Sequence, residues 1–297
     1  MHLISYKKYS YYMKEEIYKN YNLTADDIVQ ISQDVYEFRA NNKKYVAIRG
    51  IYNTEQINQS FIIAKYLREK NGVESLRLMP VLGNSFNLII LENSINNLSI
   101  VDLPEIEKYH KTIFYNKRVL INWANNWETT IDKVEEMLNQ KNIVDIDLLV
   151  SINYFIGIGE MGIALFNEGF ENDHYFTVCH RKINNDKYCL VNPLNYIWDY
   201  ECRDYAEYIK YKIINNMFSI DDISYLLLTK KWAFNHWKVL LSRIMFCDDF
   251  FESLMKYLND SNNDIKKYLQ IANIYESAVH EIIDKLTSYF KIAITYY

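Results

Sequence analysis

A single run of sequence, Leu148 to Phe166, limits what this chain can fold into more than any other feature. It is long and apolar enough to cross a bilayer, since a membrane helix needs about 20 mostly apolar residues. Either the chain enters a membrane or it builds a helical body large enough to bury this segment. Asn153 and a central Glu160 interrupt the run. An acid at mid-membrane costs about 2.5–3.5 kcal/mol on insertion scales, and Gly157, Gly159 and Gly162 thin the apolar density further. The segment therefore reads as a buried core helix, with no membrane insertion. The start, Met1-His2-Leu3-Ile4-Ser5-Tyr6-Lys7-Lys8, carries no apolar h-region, so secretion by a signal peptide is not expected.

Burying such a helix takes a large globular host, and the composition supplies one. The 297 residues are 49% hydrophobic and 24% charged, enough for a sizeable core and too apolar for a disordered chain. With 7 Gly and 3 Pro, collagen-like and linker-dominated architectures are excluded. The 27 Tyr accompany abundant Asn, Ile and Lys, the pattern of an AT-rich genome rather than of a tyrosine-dependent function. A net charge of −5 argues against nucleic acid as partner, because binding a polyanion needs a concentrated basic face. A small nucleotide held by a few positive groups is not excluded. Cys179, Cys189, Cys202 and Cys247 form no C-x-x-C and no zinc spacing, and read as reduced thiols of a cytoplasmic protein.

Residues 1–92 read as mixed α/β. The pattern predicts a helix over Lys7–Asn20, a strand pair or one long strand over Ile28–Arg39, a hairpin-like turn at Ala40–Lys43 and a strand over Lys44–Gly50. Thr54 can cap a helix to about Lys70, with Ile57, Phe61, Ala64 and Leu67 on one face and Asn71-Gly72 ending it. Strands over Leu76–Val81 and Phe86–Leu91 flank a turn at Gly83–Ser85. Residues 93–103 fall in a polar, Asn-rich stretch read as an interlobe linker, and 104–297 as a mainly helical lobe. Its predicted helices are 104–120, 127–140, 145–168, 203–216, 221–230, 232–258 and 263–295, with strand-like runs at Tyr175–Cys179, Tyr188–Val191 and Tyr196–Trp198.

Gly157-Ile158-Gly159-Glu160-Met161-Gly162 fits G-x-G-x-x-G. A dinucleotide fold needs that motif in a tight turn after a strand, with an acid about 20 positions on. Here the glycines lie within the apolar helix and Asp173 comes too early, so they read as small residues for close helix packing, and an oxidoreductase is not expected.

Val46-Ala47-Ile48-Arg49 matches the kinase V-A-I-K strand with Arg for Lys. Residues two apart on a strand share a face, so Ala47 would roof a nucleotide base and Arg49 approach its phosphates, with Glu55 as the partner on the following helix. Cys179-His180-Arg181-Lys182, then Asn195-Tyr196-Ile197-Trp198-Asp199-Tyr200-Glu201, parallels the H-G-D-x-x-x-x-N loop and D-W/F-E strand end of small-molecule kinases, where the first Asp positions the acceptor hydroxyl and Asn with the second Asp holds Mg²⁺. His180 and Asp199 match; Lys182 stands at the catalytic Asp and Lys187 at the Asn. A charged lysine cannot accept a proton, and a second lysine cannot ligate Mg²⁺.

Together with Tyr154-Phe155-x-Gly157-x-x-Glu160 and Arg203-Asp204-x-Ala206-Glu207, these segments resemble the CotS/YutH group of spore-coat-associated kinase-like proteins, themselves similar to aminoglycoside and choline phosphotransferases. The resemblance implies a two-lobed, protein-kinase-like α+β fold with a small sheet-containing N-lobe and a larger helical C-lobe. It implies ATP as cofactor, with or without Mg²⁺. Expected site residues are His180 and Lys182 in the degenerate catalytic loop, Ala47, Arg49 and Glu55 toward nucleotide, and Asp199 as metal ligand or as salt-bridge partner of Lys182. Asp204 is expected to bond loop backbone. The implied function is a pseudokinase with a structural or assembly role, cytoplasmic and deposited in the spore coat beside other coat proteins. The alternative is an active ATP-dependent small-molecule phosphotransferase using atypical residues.

Overall fold

The computed structural model describes every residue except 1, 33, 51–52, 74, 80–87, 94–100, 111–120, 142, 144, 171–175, 187, 261–264 and 292–297. The turn expected at Gly83–Ser85, the end of the helix expected over 104–120 and Lys187 lie outside the described residues. In chain order the elements are α1 (His2–Tyr21), β1 (Ile28–Ser32), β2 (Val35–Ala40), β3 (Lys43–Arg49), α2 (Thr54–Tyr66), β4 (Arg77–Leu78), β5 (Leu88–Asn93), α3 (Leu103–Tyr109), α4 (Trp123–Asn139), α5 (Ile146–Gly169), β6 (Phe176–His180), α6 (Tyr188–Val191), β7 (Tyr196–Tyr200), α7 (Cys202–Ile214), α8 (Ile220–Thr229), α9 (Phe234–Met245), α10 (Asp248–Asn259) and α11 (Lys266–Phe290). They fall into two compact units, Met1–Lys111 with Asn185–Ile197, and Thr112–Asn184 with Trp198–Tyr297.

The first unit is built on a five-stranded antiparallel sheet of order β1-β2-β3-β5-β4. Asn41 and Asn42, at φ 50° and 61°, turn the β2–β3 hairpin, because asparagine tolerates the left-handed conformation such two-residue turns require. The α2 helix starts one residue earlier than the sequence suggested: Asn53, not Thr54, is the N-cap, and it forms a reciprocal capping box with Gln56. A π-turn over Leu67–Asn71 extends α2, and Gly72 ends it at φ 64°.

The two faces of the sheet bury different partners. Tyr45 and Ala47 share a core with Met13, Ile17 and Tyr21 of α1. Val46 and Ile48, pointing the other way, share a core with Ile57 of α2 and Val191 of α6. The run over Tyr188–Val191, expected to be a strand, is a short helix: the Asp186 carboxylate accepts the Tyr188 N–H, satisfying a donor that a helix start leaves free.

In the second unit α5 packs on α4, α9 and α11. It is, among the described residues, the one helix long and apolar enough to cross a membrane, and it buries Leu148, Ile152, Phe155, Ile163 and Phe166. A single such helix packed in this way gives no sign of membrane insertion. The G-x-G-x-x-G glycines lie in mid-helix, more than two turns after its start at Ile146. A Cβ built on Gly162 would sit 2.9 Å from the Ser242 carbonyl oxygen, and one on Gly159 would meet Phe246, Ile131 and Phe251 at 3.4–3.5 Å. The packing reading holds for these two. At Gly157 a Cβ would meet nothing within 4 Å, so no close approach within the chain requires glycine there. Gly157→Ala is expected to raise stability by about 1 kcal/mol, the helix-propensity difference. Gly162→Ala should lower it, because backbone at 2.9 Å cannot move aside cheaply. Urea unfolding of the two variants checks this pair.

The single helix expected over 232–258 is two, α9 and α10, broken at Phe246-Cys247. The break is held by charge. Lys210 Nζ donates to the freed Phe246 carbonyl at 3.2 Å and to Asp248 Oδ2 at 2.7 Å, in the first turn of α10. All four cysteines are free thiols, and burial pushes the Cys179, Cys202 and Cys247 thiols up, Cys247 to about 12, so they are poor nucleophiles.

Candidate functional site

His180 ends β6, and its side chain is fully buried. Its only prospect of satisfaction there is a partner inside the protein, and Asp204, in the first turn of α7, provides it twice. Asp204 Oδ1 accepts the His180 backbone N–H at 2.7 Å, and Oδ2 lies 2.6 Å from Nδ1. The carboxylate thus fixes both the loop backbone and the imidazole, as expected from sequence for the backbone bond.

Next to it, Arg203 ties the loop to the strand end. Its Nε donates to the His180 carbonyl at 3.0 Å, Nη2 to the Arg181 carbonyl at 3.2 Å, and Nη1 to Asp199 Oδ2 at 2.8 Å. Asp199 is 3% exposed. Its Oδ1 accepts the Tyr200 N–H at 2.8 Å, and the Trp123 indole N–H lies 3.1 Å from Oδ1 and 3.3 Å from Oδ2. The carboxylate is therefore charge-balanced and engaged at both oxygens. Mg²⁺ prefers a near-octahedral oxygen shell at short range; a guanidinium on Oδ2 and an indole N–H across both oxygens leave Asp199 a poor ligand. Among the described residues, Asp199 engaged in this way does not fit a metal.

Lys182 behaves differently from expectation. Its ammonium lies 3.0 Å from Asp249 Oδ1 and 3.2 Å from Glu252 Oε2 on α10. Among the described residues, the cation on Asp199 is Arg203. Desolvation pulls the Lys182 pKa down, but the two carboxylates outweigh it and hold the pKa above the ordinary lysine range, so Lys182 is an ammonium at neutral pH. His180 and Asp199 are brought together through Arg203; Lys182 is turned toward α10.

The nucleotide trio is distributed differently again. Ala47 is fully buried on the sheet face that α1 closes with Met13, Ile17 and Tyr21, and a purine could reach it there only by displacing them. Arg49 lies on that same face and pairs with Glu16 of α1 at 2.7 Å. Glu55, exposed in the first turn of α2, accepts from Gln59 Nε2 at 3.4 Å. The face shared with α2 presents Val46 and Ile48 instead, and neither carries charge.

A quartet of two buried cations, Lys210 and Arg243, and two part-buried carboxylates, Glu207 and Asp248, adjoins the loop. Lys210 Nζ is 2.9 Å from Glu207 Oε1, and Arg243 Nε is 2.8 Å from the same oxygen. Arg243 also stacks over Trp123, its guanidinium carbon 4.6 Å from the ring centroid. Desolvation would raise the Glu207 and Asp248 carboxyls, but Lys210 and Arg243 outweigh it and hold both below the usual range. A cavity of about 270 Å³, lined by Lys182, Asn184, Glu207, Lys210, Asp248 and Tyr268 among others, opens beside the quartet. Sequence reading missed the roles of Arg203 and Arg243. The Asp199–Arg203 spacing of four was a legible signal for the first; nothing local marks the second.

Solved structures share this fold. An aminoglycoside phosphotransferase from Alicyclobacillus acidocaldarius superimposes with a TM-score of 0.64 at 10% identity, over 91% of this chain and 93% of that one. Spectinomycin phosphotransferase APH(9)-Ia, in complex with ADP and spectinomycin, gives 0.57 at 13% identity over 91% and 96%. A thermostable APH(4)-Ia variant with AMP-PNP and hygromycin B gives 0.57 at 8% over 90% and 98%. The chain thus has the α+β, aminoglycoside phosphotransferase-like kinase fold. No curated protein matches it in sequence. The family described as "Spore coat putative kinase YutH" matches residues 14–289, and the chain belongs to that family.

Proposed function

We propose that this protein is a kinase-like fold without phosphotransferase activity that serves as a structural or assembly component of the spore coat. The observation that carries the reading is the Arg203 guanidinium on Asp199 Oδ2 at 2.8 Å: the carboxylate that would hold a metal is neutralised by the chain itself. Two further features support it. Lys182, at the position of the proton acceptor, is a paired ammonium, and a group that carries its proton throughout cannot accept one from a hydroxyl. The α2 face of β3 offers Val46 and Ile48 where phosphates need a cation. Family membership supports the spore coat as its place. The solved neighbours include complexes with ADP and AMP-PNP, which supports nucleotide as a ligand; on this reading any nucleotide is held without Mg²⁺.

The alternative, an active small-molecule phosphotransferase, is favoured by one observation, the polar cavity beside Lys182. Thermal shift separates the two. The wild-type Tm is expected to be unchanged by Mg²⁺, with or without ATP. Arg203→Ala is expected to lose about 2–4 kcal/mol, because it leaves a buried carboxylate uncompensated, and Mg²⁺ should recover part of that loss. A clear Mg²⁺-dependent shift in wild type together with ATP would favour the active enzyme.

A further inference from the structure

The exposed side of α5 is unlike the surface of an ordinary core helix. Ile146 is 73% and Val150 63% exposed, and with Asn153, Gly157 and Met161 they follow one another at spacings of 4, 3, 4 and 4, which places them on one helix face. That face is about 22 Å long at 1.5 Å per residue. Toward its C-terminal part it opens into a groove of about 360 Å³ between α5 and α11, lined by Tyr154, Gly157, Ile158, Met161, Met245 and Ile283 among others.

Three observations point to an occupant. The Tyr154 hydroxyl is buried and has no hydrogen-bond partner, which folded proteins avoid. Gly157, one turn further on, is a mid-helix glycine with nothing within 4 Å of its Cβ direction, so its cost to the helix has no packing reason inside the chain. The charge is mainly negative: α5 carries Asp147, Glu160 and Glu168 with no Lys, Arg or His, Glu168 being paired with Lys238, and the groove adds Glu276 beside His280, with no lysine or arginine in its lining.

We propose that this groove receives a cationic amphipathic helix of a partner protein, its apolar side chains along Val150, Gly157 and Met161 and its Lys or Arg side chains on the acidic flanks. Gly157 lets the incoming backbone approach closely. Two methionines, Met161 and Met245, adapt to side chains of varied shape. A Lys or Arg entering near Glu276 can donate to the Tyr154 oxygen, which accepts as well as donates. The length of the apolar face favours a helix over a compact small molecule, and the acidic flanks favour a basic one. Docking here is independent of whether the fold turns over ATP.

The test uses the full chain with Met methyl groups labelled for NMR and a synthetic Leu/Lys amphipathic peptide, with its Leu/Glu counterpart as control. The Leu/Lys peptide is expected to bind saturably and to shift the Met161 and Met245 methyl resonances. Gly157→Leu, which fills the groove, should weaken binding roughly tenfold or more. Val150→Lys, an exposed substitution that leaves the fold intact, should weaken it too, and Gly157→Ala serves as the folded reference. Binding that leaves both methyl signals in place, that survives Gly157→Leu and Val150→Lys, or that is matched by the Leu/Glu peptide overturns the proposal. So does concentration-dependent self-association abolished by Gly157→Leu, which would give the groove to a second copy, or sedimentation with phosphatidylcholine vesicles, which would give it to lipid.

Discussion

Lys210→Ala is expected to be the most damaging single change in the second unit, costing about 3–5 kcal/mol, the usual result of leaving a buried charge without its partner. Lys210 is 4% exposed and bridges Glu207 and Asp248 while satisfying the Phe246 carbonyl at the α9–α10 break. Removing it strands two carboxylates on Arg243 alone and a carbonyl on nothing. In a chain of this size that corresponds to a fall in Tm of roughly 5–8 °C. The same quartet predicts acid lability. Glu207 and Asp248 have folded-state pKa values below their ordinary ones, so their contribution is present above the unfolded value of about 4 and is lost as pH falls through the depressed folded values. Thermal melts between pH 7 and pH 3 should show stability declining below about pH 4 in wild type. The decline should be shallower in Lys210→Ala. A variant as stable as wild type would mean that the quartet is a surface ornament.

Asp204→Ala is the second large effect, again about 3 kcal/mol or more, because it removes the acceptor for both the His180 N–H and the imidazole Nδ1 in a site with no exposure. Asp204→Asn separates the two bonds. Its amide oxygen can still accept the backbone N–H, but its amide nitrogen then faces Nδ1 and requires that nitrogen to accept. Asp204→Asn is expected to cost less than Asp204→Ala and to move the imidazole proton from Nδ1 to Nε2. Nitrogen chemical shifts of His180 report the tautomer, and an unchanged pattern would show that Asp204 does not set it.

The helices were legible where the period was long and uninterrupted. Leu148–Phe166 has one sensible home in a globular chain, and α5 is that home. The faces of β3 were not legible. Alternation shows that Ala47 and Arg49 point one way and Val46 and Ile48 the other, but which face α1 covers and which α2 covers is decided by chain segments far away, including Val191 of α6. The match to V-A-I-K and the helix that follows it point Ala47 and Arg49 toward a nucleotide; α1 packs over that side of β3. His180 and Asp199 were legible as a pair because a loop and the following strand end are joined in sequence. The partner of Lys182 was not, since Asp249 and Glu252 lie more than sixty positions on. The split of 232–258 was equally hidden: apolar periodicity runs through Phe246-Cys247, and the break is held by Lys210 from another helix.

On the proposed reading, Arg203 neutralises the carboxylate that would hold a metal, and Lys182 stands at the sequence position of the base. ATP turnover by the purified chain tests this reading most directly, measured with and without Mg²⁺ against amino-sugar, choline-like and protein acceptors. The account predicts no turnover above background under either condition, and none gained by adding Mg²⁺. Mg²⁺-dependent turnover that disappears in Asp199→Ala would contradict it and establish a divergent enzyme.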